Sequence, residues 1–305
     1  MLAAMEPTLA DALAAALSRL SGSPSATPEA EELVSRLAGL SRVELQLQRG
    51  QPLAQEQWQR LESWLRRRAA GEPIQYITGR AAFHHLDLAV NSAVLIPRPE
   101  TEVLVEAVLA VLRAEAARWP RPRVLDLGTG SGAIALAIAA EHPAAIVIAT
   151  DSSTAALEVA RANAAALGLE SRLQFAHGDW LGAIGGDDVF ETIVSNPPYI
   201  ATGEWDQLPD DVRSFEPAEA LFSGSTGLEA VRDIVDEAPR HLVAGGLLAL
   251  ELAESRAEEV AGWFEGAHDW GGVTLRDDLA GRPRVLLARR EGGPAIAPRQ
   301  WPEEL

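Results

Sequence analysis

The stretch SNPPYI, Ser195 to Ile200, follows a hydrophobic run with residues that could hold a small planar group. Proline lacks a backbone N–H and fixes its own φ, so Pro197 and Pro198 cannot continue a strand. The side-chain oxygen of Asn196 and the Pro197 carbonyl can both accept hydrogen bonds from one NH2 group. Tyr199 adds an aromatic ring that can stack on a flat partner. The motif therefore predicts a rigid clamp for an amide nitrogen or an exocyclic base amine.

A nitrogen held in this way suits a transfer in which the donor is already activated. A sulfonium methyl group needs mainly an in-line approach at short distance. Hydrogen-bond acceptors on the two amide protons raise the electron density of the nitrogen and can receive a proton after transfer. The motif contains no evident strong general base, and we propose none.

A second candidate site is the glycine loop in VLDLGTGSGAIALA, with residues Gly128, Thr129, Gly130, Ser131 and Gly132. It lies between a predicted strand and a predicted helix. Glycines there allow a tight turn and let a ligand approach bare backbone at the helix N-terminus. Dinucleotide-binding enzymes use a similar loop, so the glycines alone do not identify the ligand.

Residues at the ends of the strands narrow the choice of ligand. Asp151 is in a position to reach ribose hydroxyls, which suits NAD and S-adenosylmethionine equally. Asp126, directly before the loop, suits a cationic ammonium group and would repel a pyrophosphate, which favours S-adenosylmethionine. In HGDW, Asp179 is expected to bind the adenine amino group and Trp180 to cover its face.

The elements that must position these residues alternate between strands and helices from Arg123 onward. This order predicts an α/β fold with an open, mainly parallel sheet, helices on both faces and an antiparallel pair at the end. The carboxyl ends of parallel strands share one edge, which should bring the glycine loop and the proline motif together. Upstream, we expect a helical domain over residues 1–70 and a β-hairpin linker over 71–98, with PIQYITG and LDLAV as strands. A catalytic domain is expected over 99–290, and a loose tail over 291–305.

Composition excludes several classes of protein. The 305 residues carry a net charge of −18, which argues against direct binding of nucleic acid. The absence of cysteine excludes disulfides and thiolate metal sites. We expect no metal site, because His84 and His85 would point to opposite sides of a strand. No apolar run reaches the roughly 20 residues of a membrane span, and the N-terminus lacks the basic region of a signal peptide. A cytoplasmic protein is expected.

Several motifs occur in an order that resembles one known family: GEPIQYITG, LIPRPETE, LDLGTGSGAIALA, SNPPYI, FEPAEALFSGSTGLEAVRDIV and DLAGRPRV. Together they resemble the peptide chain release factor N5-glutamine methyltransferases, the HemK or PrmC family. The resemblance runs from about Gly71 to Val285, and the helical N-terminal domain also fits.

The resemblance implies a class I, Rossmann-like, seven-stranded methyltransferase with S-adenosylmethionine as methyl donor. It implies that the methyl acceptor is the glutamine of the GGQ motif in bacterial class 1 release factors, and that the N-terminal domain selects this protein substrate. By motif position, the cofactor would be bound by Gly128–Gly132, Asp151, Asp179, Trp180 and Asn196. Asn196, Pro197, Pro198 and Tyr199 would hold the substrate glutamine, and Arg98, Glu100 and Thr101 of PRPET would lie near cofactor or substrate.

The chain departs from the family pattern at two places. It reads AFHHLDL where the family often has an aromatic–glycine pair, and Ala253 stands where a glycine is frequent, so we expect crowding of a turn there. Four alternatives remain open at this point. A sister enzyme acting on a ribosomal protein shares the whole catalytic argument, whereas a DNA adenine methyltransferase conflicts with the acidic charge. A binding module or an NAD-dependent oxidoreductase leaves NPPY unexplained.

Overall fold

The computed structural model describes residues 6–292. The chain folds as two compact units: one runs up to Arg80 and includes Asp210–Phe215, and the other comprises Ala81–Pro209 and the chain from Glu216 onward. The predicted tail over 291–305 falls, from residue 293 on, outside the described residues.

The described residues contain these helices: α1 (Leu9–Arg19), α2 (Ala26–Ala38), α3 (Arg42–Leu47), α4 (Gln55–Ala69), α5 (Ile74–Thr78), α6 (Pro99–Ala114), α7 (Ala133–Glu141), α8 (Thr154–Leu167), α9 (Asp210–Phe215), α10 (Glu229–His241) and α11 (Ala257–Gly262). Helices α1–α5 and α9 belong to the first unit. Its core is a cluster of leucines such as Leu33, Leu45 and Leu61. Between residues 6 and 292, no helix has both the length and the apolar character needed to cross a bilayer.

The predicted strand over PIQYITG is wrong, because this stretch forms α5. Pro73 lies directly before the helix, with a φ of −57° that suits a helix start. Gly79 ends it in the left-handed conformation, with a φ of 73°. Tyr76 and Ile77 are buried, and the alternating pattern that suggested a strand is too short to tell the two structures apart.

The second unit contains the strands β1 (Arg80–Phe83), β2 (Leu86–Ala89), β3 (Arg123–Leu127), β4 (Ile146–Asp151), β5 (Leu173–His177), β6 (Phe190–Ser195), β7 (Leu242–Glu251), β8 (Trp270–Asp277) and β9 (Pro283–Arg290). Seven of them form one sheet in the order β5-β4-β3-β6-β7-β9-β8. The strands from β5 to β7 are parallel, and β9 is antiparallel to both β7 and β8. The predicted mainly parallel sheet with an antiparallel end is confirmed.

The sheet brings the ends of three strands to one edge. Leu127 of β3 is in register with Thr150 of β4 on one side and with Ser195 of β6 on the other. One face of the sheet packs against α6 and α7, and the other packs against α10 and α11. Because both faces are covered, the central strands are apolar and the polar residues collect where the strands end.

His84 and His85 do not lie on opposite sides of a strand, and this expectation is wrong. They form the turn between β1 and β2, where His84 has a left-handed φ of 54°. Their ring centroids are 4.5 Å apart. Ligand atoms of both histidines and of Glu141 lie within 4.8 Å of one another. His84 Nε2 is already 2.7 Å from Glu106 Oε1, and Glu141 is paired with Arg113 at 3.1 Å.

Candidate active site

The proline motif begins where β6 ends, beside the strand that leads into the glycine loop. Ser195, the last residue of β6, donates a hydrogen bond to the Leu127 carbonyl at 2.8 Å. After the prolines, the Ile200 N–H donates to the Leu221 carbonyl, and the Ser223 N–H donates back to the Ile200 carbonyl, each at 3.0 Å. The four residues of the motif are therefore fixed at both ends.

Gly227 allows the chain to pass close behind this motif. Its φ is 79°, a conformation that favours glycine. A Cβ atom there would lie 2.6 Å from the Tyr199 carbonyl oxygen and 3.0 Å from the Ala201 nitrogen. Any larger residue would have to displace the backbone of the motif.

Asp126 lies beneath the glycine loop and is fully buried. The expectation that it faces a ligand ammonium group is wrong, because its carboxylate is directed into the loop itself. It accepts hydrogen bonds from Thr129 Oγ1 at 2.6 Å and from the Ala135 N–H at 3.2 Å. Burial raises the pKa of Asp126 to about 7. Its structural role is to hold the loop against the start of α7.

Asp151 joins the end of β4 to the glycine loop. Its Oδ2 atom accepts from the Gly130 N–H and its Oδ1 atom from the Ser153 N–H, both at 2.8 Å. Burial raises the pKa of Asp151 despite these bonds. These two hydrogen bonds fix the carboxylate beside the loop, at the position where the sequence predicts ribose binding.

A cavity of about 360 Å³ opens at this edge of the sheet. It falls within the roughly 300–1,000 Å³ of small-molecule sites. Seven of the predicted site residues line it: Gly128, Gly130, Asp151, Asp179, Trp180, Asn196 and Pro198. The other five lie outside the lining: Thr129, Ser131, Gly132, Pro197 and Tyr199. The first three of these five shape the glycine loop. Thr129 donates to Asp126, and the Ser131 carbonyl accepts from Asn163 at 2.9 Å. Gly132 lies directly before α7 with a φ of 84°.

Trp180 follows the carboxyl end of β5 and packs against the glycine loop. It has a left-handed φ of 43°, which is uncommon for a bulky residue and marks a constrained position. A Cβ atom on Gly128 would lie 3.4 Å from Trp180 Cζ3, so the ring covers that glycine closely. The ring also lines the cavity next to Asp179, as required for a flat ligand group at this end.

The opposite wall of the cavity was not assigned from the sequence. It comes from residues 93–95 and from a segment between 217 and 223. Glu216 ties the two together: its side chain is only 2% exposed, and it pairs with Arg98 at 2.6 Å. The two residues of this ion pair lie in the PRPET and FEPAEA motifs, but the spacing of the motifs did not show that they would come into contact.

A second group of residues meets behind Asn196. Asn196 Nδ2 donates to Thr101 Oγ1 at 3.1 Å. Thr101 also lies close to the buried carboxyl group of Glu251 at the end of β7. Burial, and then the charge of Glu251, raise the pKa of Tyr199. The charges of Arg98 and Glu100 also act on Tyr199 and Glu251, so the PRPET segment lies near the clamp. Sequence reasoning named Thr101 but missed Glu251.

Ala253 does not crowd its turn. Its φ is −62° and its ψ is 137°, an extended conformation that any residue adopts. The backbone at this position therefore does not require a glycine.

Comparison with known proteins identifies the family. Residues 11–79 match the PrmC N-terminal domain, and residues 101–208 match the methyltransferase small domain. A release factor glutamine methyltransferase from Rhodospirillum rubrum is 41% identical over 273 residues, 88% of this chain and 81% of that protein. Another from Cereibacter sphaeroides is 43% identical over 282 residues, 92% of this chain and 98% of that protein. The chain belongs to the release factor glutamine methyltransferase family.

The fold agrees with this family assignment. One similar solved structure is the hMettl16 catalytic domain in complex with the MAT2A 3′UTR hairpin 6. The superposition includes 82% of the chain described here and 87% of the hMettl16 chain, with a TM-score of 0.51 and 14% sequence identity. At this identity the likeness shows the fold alone. The sheet order and the family together give the class I, Rossmann-like methyltransferase fold. The release factor glutamine methyltransferase family assignment also makes the chain an S-adenosylmethionine-dependent methyltransferase.

The residues around the cavity fit S-adenosylmethionine. Three glycines with positive φ leave the backbone of the loop bare, and a carboxylate stands beside them at Asp151. Trp180 offers a ring face, and Asp179 offers an acceptor next to it. The lining also carries acidic residues such as Glu219 and Asp233, which suit a positively charged ligand better than a pyrophosphate.

Proposed function

We propose that this protein transfers a methyl group from S-adenosylmethionine to the side-chain amide nitrogen (N5) of the glutamine in the GGQ motif of bacterial class 1 release factors. The observation that carries the proposal is the orientation of Asn196 at the cavity. Its NH2 group is bound by Thr101, so its oxygen is left to accept from a substrate. A glutamine amide offers the planar NH2 donor that this acceptor requires.

The proposed cofactor site is the cavity beside the glycine loop. When bound there, S-adenosylmethionine supplies a methyl group that is already activated by its positive sulfur. The residues that would hold the cofactor are Gly128–Gly132, Asp151, Asp179, Trp180 and Asn196. Asp151 is fixed by two backbone N–H groups, so little ordering remains to be done when a ribose binds.

The proposed substrate site is the NPPY clamp. Asn196 Oδ1 and the Pro197 carbonyl accept the two N–H bonds of the substrate amide and keep its nitrogen in one plane. Tyr199, half-buried, supports the flat group from the side. Catalysis is then mainly positioning, which can supply several orders of magnitude in rate. After transfer the methylated nitrogen loses one of its two protons, and each proton is already hydrogen-bonded to one of these acceptors.

We further propose that residues 1–70 select the release factor, that 71–98 link this domain to the rest, and that 99–290 carry the chemistry. The substrate acts in translation, which is why we propose a cytoplasmic location. We propose no direct nucleic-acid partner, because the net charge of the chain is −18.

The test is methyl transfer from labelled S-adenosylmethionine to a class 1 release factor with its GGQ motif intact or changed to GGA. Label in the intact factor alone is the expected result. Equal label in both factors, or label in neither, contradicts the proposal. Label found instead in a ribosomal protein from the same organism would favour the sister activity.

A further inference from the structure

Asn163 is a buried polar residue that the proposed reaction does not use. It lies on α8 and is only 2% exposed, and the other buried residues of that helix are alanines, a leucine and a valine. Burying an amide is costly unless its donors and its acceptor find partners. We therefore asked which neighbours this side chain binds and what they have in common.

The Asn163 side chain binds two separate segments of the chain. Its Oδ1 atom accepts from the Ala89 N–H at 2.7 Å, and its Nδ2 atom donates to the Ala89 carbonyl at 3.0 Å. The Nδ2 atom also donates to the Ser131 carbonyl in the glycine loop at 2.9 Å. Only the amide oxygen can face the Ala89 N–H, so these three hydrogen bonds fix the orientation of the side chain.

The two segments lead to opposite walls of the cavity. Ser131 belongs to the glycine loop, which contributes to one wall. Ala89 ends β2, and the wall formed by residues 93–95 begins four residues later. The chain between them is a tight turn, in which the Ala93 N–H donates to Asn91 Oδ1 at 2.9 Å. A shift of Ala89 would therefore be passed on to this wall.

The far end of the same wall is also anchored. The Ile96 N–H donates to Glu216 Oε2 at 3.4 Å, and Glu216 pairs with Arg98. Residues 93–95 are thus held between Glu216 on one side and Asn163 on the other. Because the glycine loop is bound to Asn163 as well, this side chain joins the two walls.

We propose that Asn163 is a positioning residue that sets the distance between the glycine loop and the 93–95 wall, and thereby the affinity for S-adenosylmethionine. Asn163 does not line the cavity, so it acts through the backbone of Ser131 and Ala89. Walls that are already in place leave less conformational freedom to be lost when the cofactor binds. This inference rests on the proposed function, in which the cofactor occupies this cavity.

The first test measures S-adenosylmethionine affinity by calorimetry in two variants. Asn163→Leu removes all three hydrogen bonds at similar size. Asn163→Asp, when ionised, keeps an acceptor for the Ala89 N–H but cannot donate to the Ser131 carbonyl. We expect both to bind the cofactor at least about tenfold more weakly. Thr192→Val is the matched control and should bind like wild type, because Thr192 is fully buried on β6 and its Oγ1 atom has no partner among the described residues.

The second test separates positioning from a general loss of folded protein. The NPPY clamp follows a different strand from the glycine loop, so the two variants should raise the KM for S-adenosylmethionine much more than they lower kcat at saturating cofactor. A smaller folded fraction would instead lower kcat and leave KM unchanged. That result in both variants, or a cofactor affinity equal to that of Thr192→Val, would overturn the proposal.

The third test uses wild-type protein alone and does not depend on turnover. Hydrogen exchange of the Ala89 backbone N–H, followed by NMR, should slow when S-adenosylmethionine is added, although β2 does not line the cavity. Unchanged exchange at Ala89 would show that the two walls are not coupled and would overturn the proposal. If Ala89 is protected and the variants behave as expected, but the release factor stays unlabelled, the role of Asn163 stands and the proposed methyl acceptor fails.

Discussion

Two buried carboxyl groups, those of Asp126 and Glu251, lie beneath the candidate site. Asp126 accepts from Thr129 and from the Ala135 N–H, which fixes the glycine loop. Glu251 lies close to Thr101, whose Oγ1 atom accepts from Asn196 Nδ2. Burial raises the pKa of both acids to about 7. At the residue scale, the position of the glycine loop therefore depends on a buried acid that does not line the cavity.

Replacement of Asn196 by alanine should remove turnover and leave cofactor binding largely intact. The variant lacks the acceptor for the substrate amide, and a loss of about 10²-fold or more in kcat is expected. Calorimetry with S-adenosylmethionine should give an affinity within about tenfold of wild type. Thr192→Val, on the strand leading into the motif, is the control. Turnover of Asn196→Ala at the wild-type rate would refute the role given to this residue.

Asp126 should make the folded state less stable as the pH rises. Its pKa is about 7 when folded against 3.8 for an ordinary aspartate, so the folded protein binds an extra proton between these values. The contribution is fully present below pH 3.8 and is lost as pH rises through about 7. Denaturant unfolding at pH 5 and pH 8 should show a larger drop for wild type than for Asp126→Asn. An equal drop in the two proteins would contradict the raised pKa of this buried acid.

The sequence could predict one wall of the cavity, but neither the opposite wall nor the buried acids beneath the site. Glycines, prolines and an asparagine at strand ends are recognisable because the chemistry needs those types there. Asp126 was wrongly assigned to a ligand. Its burial beneath the loop depends on how α7 packs, which the sequence does not show. Glu251 carried no signal of its own, since it reaches Thr101 across about 150 residues of chain.

At the scale of elements, the site depends on close passage of the 222–227 segment behind the proline motif. Ile200 pairs with this segment as a short parallel bridge to Phe222. Gly227 then turns with a left-handed φ directly against the Tyr199 carbonyl. The motif is rigid because of this second layer of backbone as well as its prolines.

Gly227→Ala should therefore disturb both stability and turnover. The left-handed conformation alone costs an alanine about 1–2 kcal/mol, and its Cβ would also press on the Tyr199 carbonyl oxygen at 2.6 Å. We expect a lower melting temperature and a reduced kcat. Gly203→Ala is the control, because nothing lies within 4 Å of a Cβ there and its φ is not left-handed. Equal behaviour of the two variants would show that the close approach is unimportant.

Long elements could be predicted from the sequence, whereas short ones could be predicted only in part: LDLAV does form the short strand β2, but PIQYITG does not form a strand. The strand Ile146–Asp151 begins with four apolar residues, as expected of a strand buried on both faces, and helices of regular period separate such strands. The five residues of α5 are too few for a period to show. The turn at His84 and His85 was missed because it contains no glycine, asparagine or aspartate, the residues that usually mark a hairpin turn with positive φ.

At the scale of the whole molecule, composition and family point to the same class of substrate. A net charge of −18 disfavours a partner that presents mainly phosphate. The PrmC N-terminal domain over residues 11–79 accompanies the methyltransferase domain in this chain. A protein amide is therefore the acceptor that agrees with both the clamp and the charge.

The central claim is that the methyl group goes to one glutamine nitrogen of a release factor. The most direct measurement is mass spectrometry of a reaction that contains the protein, S-adenosylmethionine, a class 1 release factor and purified ribosomal proteins at equal concentration. We predict a mass gain of one methylene unit on the release factor alone, with peptide fragmentation placing it on the GGQ glutamine. A gain on a ribosomal protein, or on another residue of the release factor, would contradict the account.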